Sequence, residues 1–199
     1  MLTRRYRGPV AVPNRVKNVR VGAFTAEERQ GVEVEVAQFL GDVVRLVKPH
    51  LVVVTGAGKG EAAREIDQAL AENVALGLDG RLVVFEQDEA QALSCSEKLS
   101  DRVEVVHGTC WHYPFPERIA VAFVDGPYTT RILDIERLAN FMAPRGLLFL
   151  HDTGMMSREE MRRVVHFVRG KFNTVEFPTA RGLAALQPRG NLWSHTGAL

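Results

Sequence analysis

The chain has 199 residues, of which 46% are hydrophobic and 25% are charged, and this length and composition predict one globular domain with a substantial core. The net charge of +1 excludes a basic surface over the whole protein, and the longest apolar runs, such as Gly146–Leu150, are far too short to span a membrane. Because the N-terminus lacks the apolar core of a signal peptide and Cys95 and Cys110 give neither a disulfide framework nor a metal-site spacing, we expect a cytoplasmic protein.

Charge is distributed unevenly along the chain, and the N-terminal segment is basic. Residues 1–24 show no clear period, which predicts an irregular arm, and we expect residues 25–199 to form a single domain. Six basic residues of the arm precede the first acidic residue of the chain: Arg4, Arg5, Arg7, Arg15, Lys17 and Arg20. A solvated arm that covers the sheet or a partner subunit of a homo-oligomer is the favoured interpretation. Contact with nucleic acid or an anionic substrate is the alternative.

Helical and strand patterns alternate after the arm. The capping box Thr25–Glu28 predicts the start of a helix that Pro49 ends. Five strands are then predicted, at Leu51–Thr55, Leu82–Glu86, Val103–His107, Ile119–Val124 and Leu147–His151. The helices predicted between and after them cover Glu61–Glu72, Asp88–Leu99, Thr129–Met142 and Ser157–Val168. This alternation favours a doubly wound, mainly parallel α/β sheet with right-handed crossovers.

The boundaries of the last elements rest on turn and cap signals. Pro144–Gly146 is predicted to turn into the fifth strand, Ser157 to cap the last helix, and Gly170 to end it. Two closing strands, Thr174–Phe177 and Gly182–Gln187, have no helix between them and should pair antiparallel.

A glycine-rich turn follows the first strand. Gly56, Gly58 and Gly60 form a GxGxG pattern after a short β-branched run, which is typical of a ligand-binding turn at the carboxyl end of a buried strand. A phosphate loop is excluded because Gly60 stands where Ser or Thr is needed after Gly58-Lys59. The dinucleotide fingerprint fails because Glu61 replaces its third glycine.

Acidic residues close three of the predicted strands. Glu86 ends the second strand, where a carboxylate can accept hydrogen bonds from ribose hydroxyls; the alternative is a residue that only starts the next helix. Asp125 follows the fourth strand, and His151 and Asp152 close the fifth. If these strands flank the first, the three side chains meet and could hold a divalent cation or supply a general base. The alternative is that they order their own turns.

These residues together resemble a known family. The segments Val52–Gly60, Val83–Glu86, Phe123–Tyr128, Met142–Thr153 and Gly182–Leu186 are similar in order and spacing to class I S-adenosylmethionine-dependent methyltransferases. Within that class, the chain resembles the bacterial group with a DG-x-H … HD pattern, which is related to small-molecule O-methyltransferases. The resemblance covers about residues 30–188. It implies a Rossmann-like sheet of seven strands in the order 3-2-1-4-5-7-6, with the last strand antiparallel.

The resemblance also implies a site. S-adenosylmethionine would be contacted by nine residues: Thr55, Gly56, Gly58, Gly60, Glu86, Gln87, Thr109, Cys110 and Asp125. Catalysis on a small-molecule hydroxyl would rest on Asp125, His151 and Asp152, with Asp125 and Asp152 holding a magnesium-like ion in metal-dependent members.

The chain departs from the family pattern at three positions. Val54 and Thr109 stand where the family has acids that contact the cofactor, and Tyr128 replaces the histidine of DG-x-H. These departures leave open a non-catalytic binding module with the same fold. A nucleic-acid methyltransferase that uses the basic arm is the further alternative.

Overall fold

The computed structural model describes residues 31–189, so the predicted arm and the capping box Thr25–Glu28 lie outside the described residues. Five α-helices are α1 Val34–Val47, α2 Glu61–Ala75, α3 Glu89–Ser96, α4 Arg131–Phe141 and α5 Glu159–Lys171. Seven strands are β1 Leu51–Thr55, β2 Arg81–Glu86, β3 Val103–His107, β4 Ile119–Val124, β5 Met142–His151, β6 Phe172–Phe177 and β7 Leu183–Pro188. A short 3-10 helix, Cys110–His112, follows β3.

The strands form one sheet in the order β3-β2-β1-β4-β5-β7-β6. The pairs among β1 to β5 are parallel, and β7 is antiparallel to both β5 and β6. The predicted fold class and strand order are therefore confirmed. Since β1 lies between β2 and β4, the chain reverses its direction of winding there, and the carboxyl ends of these strands border the crevice where α/β proteins bind ligands.

Helices cover both faces of this sheet. Strand β1 is buried on both sides: Val52 and Val54 pack with α1 and α2, whereas Leu51 and Val53 pack with α4 and α5. Its uninterrupted apolar run is thus explained by contact with two helical layers. Within residues 31–189, no helix combines the length and apolar character needed to cross a lipid bilayer.

Several predicted boundaries are wrong at the far end of the sheet. Strand β5 begins at Met142, so Pro144–Gly146 lies inside the strand, and the pairing of β4 with β5 shifts register between Ile119 and Val121. Arg158, not Ser157, precedes α5, and that helix runs through Gly170 to Lys171 before β6 begins. Tertiary pairing of β6 with β7 thus sets the end of α5, and Gly170 does not.

Candidate functional site

The glycine turn after β1 lies against the end of β4. Gly56 has φ of +83°, and a Cβ added there would lie 2.5 Å from the carbonyl group of Asp125. The Asp125 amide in turn donates to the Thr55 carbonyl at 2.8 Å. Only glycine satisfies both the left-handed conformation and this close approach. The turn and Asp125 are therefore held in fixed relative positions.

Glu86, the last residue of β2, holds the glycine turn in place through hydrogen bonds. Its Oε2 accepts hydrogen bonds from the amides of Ala57 at 2.7 Å and Gly58 at 3.2 Å, and its Oε1 accepts one from Asp88 at 3.0 Å. A carboxylate has about four lone-pair sites. These contacts use three of them, so about one remains for a ligand.

A cavity of about 510 Å³ opens at this edge of the sheet, a size typical of small-molecule sites. It joins the glycine turn and Glu86 on one side to Asp125 and Asp152 on the other. A second space of about 10 Å³, room for about one water molecule, adjoins it through Gly56, Glu86 and Gln87.

His151 lies beneath the cavity with both ring nitrogens engaged. Nδ1 is 2.8 Å from Oδ1 of Asp125, and Nε2 is 2.5 Å from Oε2 of Glu33. The His151 side chain is fully buried and is not among the residues that line the cavity. Burial alone would lower the pKa of His151, but the carboxylates of Asp125 and Glu33 outweigh burial and raise this pKa to about 9. The ring is therefore a cation at neutral pH.

Arg131 is the first residue of α4, and all of its side-chain N–H groups contact partners inside the protein. Nε donates to the Gly126 carbonyl at 2.7 Å, and Nη1 lies 2.7 Å from the His151 carbonyl and 3.7 Å from Sδ of Met161. Nη2 donates to both Asp125 and Asp152 at 3.0 Å. Because a guanidinium has five N–H groups, none remains for a ligand.

Asp152 accepts hydrogen bonds at both of its carboxylate oxygens. Oδ1 accepts from Nε of Arg181 at 2.6 Å, while Oδ2 accepts from Arg131 and from the Tyr128 hydroxyl at 3.0 Å. Burial would raise the pKa of Asp152, but His151, Arg131 and Arg181 hold it below its usual range. The backbone at Asp152 has φ of +65°, a left-handed conformation that a non-glycine residue adopts at some energetic cost. These donors offset that cost.

Six charged side chains thus form an ionic cluster: the acids Glu33, Asp125 and Asp152 and the cations Arg131, His151 and Arg181. Burial would raise the pKa of Glu33, but its hydrogen bond with His151 keeps this pKa below the usual value. Among the carboxylate oxygens of the cluster, only Oδ2 of Asp125 accepts no hydrogen bond from residues 31–189. Asp125 lines the cavity, and its side chain is 14% exposed.

The ligand atoms of Asp125, His151 and Asp152 lie within 4.8 Å of one another, a spacing that a metal ion could bridge. Their chemistry does not suit a divalent cation. The His151 ring is protonated, and the guanidinium of Arg131 already bridges the two carboxylates. The predicted magnesium-like ion therefore does not fit the side chains as they are arranged.

The smaller space contains a carboxylate that the sequence did not point to. Asp134 of α4 lies there beside Thr109 and Cys110, and its Oδ1 accepts from Nε1 of Trp111 at 2.8 Å. Burial raises the pKa of Asp134. Oγ1 of Thr55 faces the same space; it is buried and has no hydrogen-bond partner among the described residues.

The predicted site residues fall into groups. Gly56, Gly58, Glu86, Gln87 and Asp125 line the cavity, as does Asp152. Thr55, Thr109 and Cys110 line the smaller space, and Gly60 precedes α2 without lining either one. Val54 points away, into the core beneath α1 and α2.

Four residues of the site were not predicted from the sequence: Glu33, Arg131, Asp134 and Arg181. One signal was present: a cation at the first position of a helix opposes the helix dipole, so Arg131 needs another reason to be there. Nothing local marks Glu33 or Arg181, because both reach the cluster from far along the chain.

Known proteins share this architecture. The O-methyltransferase TomG from Streptomyces achromogenes, in complex with SAM, has a TM-score of 0.67 at 16% identity over 82% of this chain and 86% of that chain. A methyltransferase from Geobacter sulfurreducens has a TM-score of 0.64 at 23% identity over 83% and 85%. An O-methyltransferase from Bacillus cereus, in complex with SAH, has a TM-score of 0.64 at 16% identity over 79% and 82%. These likenesses show the fold.

A comparison with curated proteins gives no match. A family model described as a methyltransferase domain matches residues 53–153, just over half of the chain. The matched region begins in β1 and ends directly after Asp152, so it contains the glycine turn, Glu86 and Asp125. The chain therefore belongs to this family of methyltransferase domains.

Proposed function

We propose that this protein transfers a methyl group from S-adenosylmethionine (SAM) to a hydroxyl oxygen of a small molecule. The observation that carries the proposal is that one cavity joins the glycine turn and Glu86 to Asp125, whose Oδ2 is open. Similar folds crystallised with SAM or S-adenosylhomocysteine (SAH) support the choice of cofactor. When bound, SAM supplies an electrophilic methyl group on its sulfonium.

The cofactor's ribose would lie against Glu86. The remaining lone-pair site of this carboxylate would accept a hydrogen bond from one ribose hydroxyl, while its other sites keep the amides of Ala57 and Gly58 in place. Glycines at 56 and 58 leave room for the cofactor to approach the backbone closely. Glu86 thereby orders the turn and contacts the ligand at the same time.

The adenine would occupy the smaller space. There Asp134 supplies a carboxylate next to Thr109, the position at which related sequences carry an acid, and this carboxylate would accept a hydrogen bond from the adenine amine. Because the space holds about one water molecule, it would have to widen to admit the ring, and the exposed side chain of Gln87 is part of its lining. The Gln87 side chain makes a hydrogen bond of 3.4 Å to Thr130, so its displacement would disrupt little.

The acceptor hydroxyl would lie at Oδ2 of Asp125. This oxygen would accept the hydroxyl proton while the methyl group moves from the sulfonium sulfur to the acceptor oxygen, which leaves SAH. His151 and Arg131 hold the other oxygen of the same carboxylate, which fixes its orientation. We therefore assign His151 to positioning rather than to proton removal, because both of its nitrogens already contact carboxylates.

Isothermal titration with SAM tests the proposal. Wild-type protein should bind SAM with micromolar affinity, and Glu86→Ala should lose at least tenfold in affinity, equivalent to about 1.4 kcal/mol. Glu160→Gln, an exposed acid on α5, is the matched control and should bind like wild type. Binding by wild type then justifies a screen of hydroxyl-bearing acceptors with mass-spectrometric detection of the methylated product.

A non-catalytic module is the second candidate, because Val54 and Thr109 lack the acids found at these positions in related sequences. That candidate gains if wild-type protein fails to bind SAM at millimolar concentration. It also gains if SAM binds but no methylated product is detected from any acceptor class.

A further inference from the structure

A divalent cation held by Asp125, His151 and Asp152 together would need an open oxygen from each carboxylate and an electron pair from His151. Asp152 has no open oxygen, because Arg131, Tyr128 and Arg181 occupy both of its oxygens. Both nitrogens of His151 contact carboxylates. Only Asp125 keeps one oxygen open, so the three side chains together do not supply a ligand set for a divalent cation.

The bridging position itself is occupied by a cation of the protein. Nη2 of Arg131 lies 3.0 Å from Oδ1 of Asp125 and 3.0 Å from Oδ2 of Asp152. The Arg131 side chain is only 2% exposed, and its remaining nitrogens bind the carbonyls of Gly126 and His151. The guanidinium therefore cannot swing into solvent to admit an ion without breaking all of these contacts.

The charge of the ionic cluster is also balanced without a metal. Its three carboxylates face the three cations Arg131, His151 and Arg181. A divalent ion would add two positive charges to a buried group that already sums to zero, and the desolvation of that ion would not be compensated.

We propose that Arg131 takes the place of a bridging divalent cation and acts as a positioning residue that keeps Asp125 oriented toward the cavity. For its part in methyl transfer this inference rests on the proposed function. The other part of the inference, that Arg131 replaces a bridging metal, rests on the geometry of the ionic cluster. The side chain gives a fixed positive charge at the bridge, and its Nη2 group together with Nδ1 of His151 holds Oδ1 of Asp125, which sets the direction of the open oxygen.

Manganese binding tests this inference without any need for an acceptor. After removal of metals with EDTA, wild-type protein with SAH should leave the electron paramagnetic resonance signal of free Mn²⁺ unchanged, and Mn²⁺ should not shift its melting temperature. Arg131→Ala removes the internal cation and leaves two carboxylates side by side. This variant should gain a saturable Mn²⁺ site, seen as loss of the free-ion signal and a rise in melting temperature.

Two controls separate the outcomes. Arg163→Ala, whose parent side chain is 73% exposed, should behave like wild type toward Mn²⁺. If Arg131→Ala does not fold, the wild-type titration decides alone: a saturable Mn²⁺ site that Asp125→Asn abolishes overturns the inference, and no binding supports it. SAH affinity, measured in the same samples with and without Mn²⁺, reports on the proposed function separately. Absence of SAH binding would overturn that function and leave the metal result interpretable.

Discussion

The two sides of the cavity are built in different ways. The side around Glu86 uses a short turn, glycines and backbone amides that come from β1, β2 and the residues directly after them. The side around Asp125 uses long charged side chains from segments as far apart as Glu33 and Arg181. The first side therefore depends on local backbone conformation, and the second depends on a balance of buried charges that only the complete fold brings together.

The charge balance is broken most strongly by removing Arg131. Arg131→Met leaves two buried carboxylates without their bridging cation, and we expect a loss of about 3–5 kcal/mol in the free energy of unfolding. Urea denaturation at neutral pH measures this loss. Arg163→Met, which changes an exposed arginine, should shift stability by less than about 0.5 kcal/mol. Equal losses in the two variants would contradict the role given to the ionic cluster.

Alkaline pH should weaken the same side of the cavity. The folded protein raises the pKa of His151 to about 9, whereas the unfolded value is about 6.5. The stability gained from this proton is therefore complete below about pH 6.5 and is lost as pH rises through about 9. We expect about 2–3 kcal/mol less stability at pH 10 than at pH 7 from this group.

Denaturation at a series of pH values checks the effect, with His151→Gln as the variant in which the slope should flatten. Nuclear magnetic resonance titration of the wild-type His151 ring gives the pKa directly. A ring that loses its proton near pH 6.5 would rule out the ion pairs described for it.

A pair of glycine variants tests the close contact between the glycine turn and the end of β4. Gly56 and Gly77 both have positive φ, +83° and +80°, but a Cβ at Gly77 would meet no atom within 4 Å. Gly77→Ala should therefore cost about 1 kcal/mol from backbone conformation alone. Gly56→Ala adds a clash with the Asp125 carbonyl and should cost roughly 2 kcal/mol or more and weaken SAH binding. Denaturation and titration with SAH measure both effects, and similar results for both variants would contradict the close contact of the turn with β4.

The smallest expected effect concerns the adenine. Asp134→Asn should reduce SAH affinity about fivefold, equivalent to roughly 1 kcal/mol, because one acceptor for the adenine amine is lost. S-inosylhomocysteine, which lacks that amine, should bind wild type and variant alike. Glu136→Gln on the same helix is the control, since the Glu136 side chain is 45% exposed and pairs with Lys171. Equal discrimination by wild type and Asp134→Asn would remove Asp134 from the adenine contact.

The difference between the two sides of the cavity also explains which features could be predicted from the sequence. Strands β1, β3 and β4 were predicted with their observed limits, because their apolar runs end at clear turn or polar residues. The meeting of Asp125, His151 and Asp152 followed from strand ends alone, since parallel strands bring their carboxyl ends to one edge. The assignment of ligand contacts to these residues stays a prediction that binding experiments must test.

Contacts between distant segments could not be predicted. The pairing of Glu33 with His151 spans 118 positions, and no local pattern in either segment indicates it. The magnesium-like ion was implied by the family resemblance, and nothing in the sequence argued against it, because the arginine that bridges the two carboxylates lies on the next helix and its direction depends on packing. The end of α5 at Lys171 likewise depends on strand pairing rather than on Gly170.

One titration tests the central claim most directly: SAH added to metal-free wild-type protein, with and without Mg²⁺. The account predicts micromolar binding that EDTA and Mg²⁺ leave unchanged, because Glu86 and the glycine turn hold the nucleoside while Arg131 supplies the bridging charge. No binding at millimolar SAH, or binding only when Mg²⁺ is present, would contradict it.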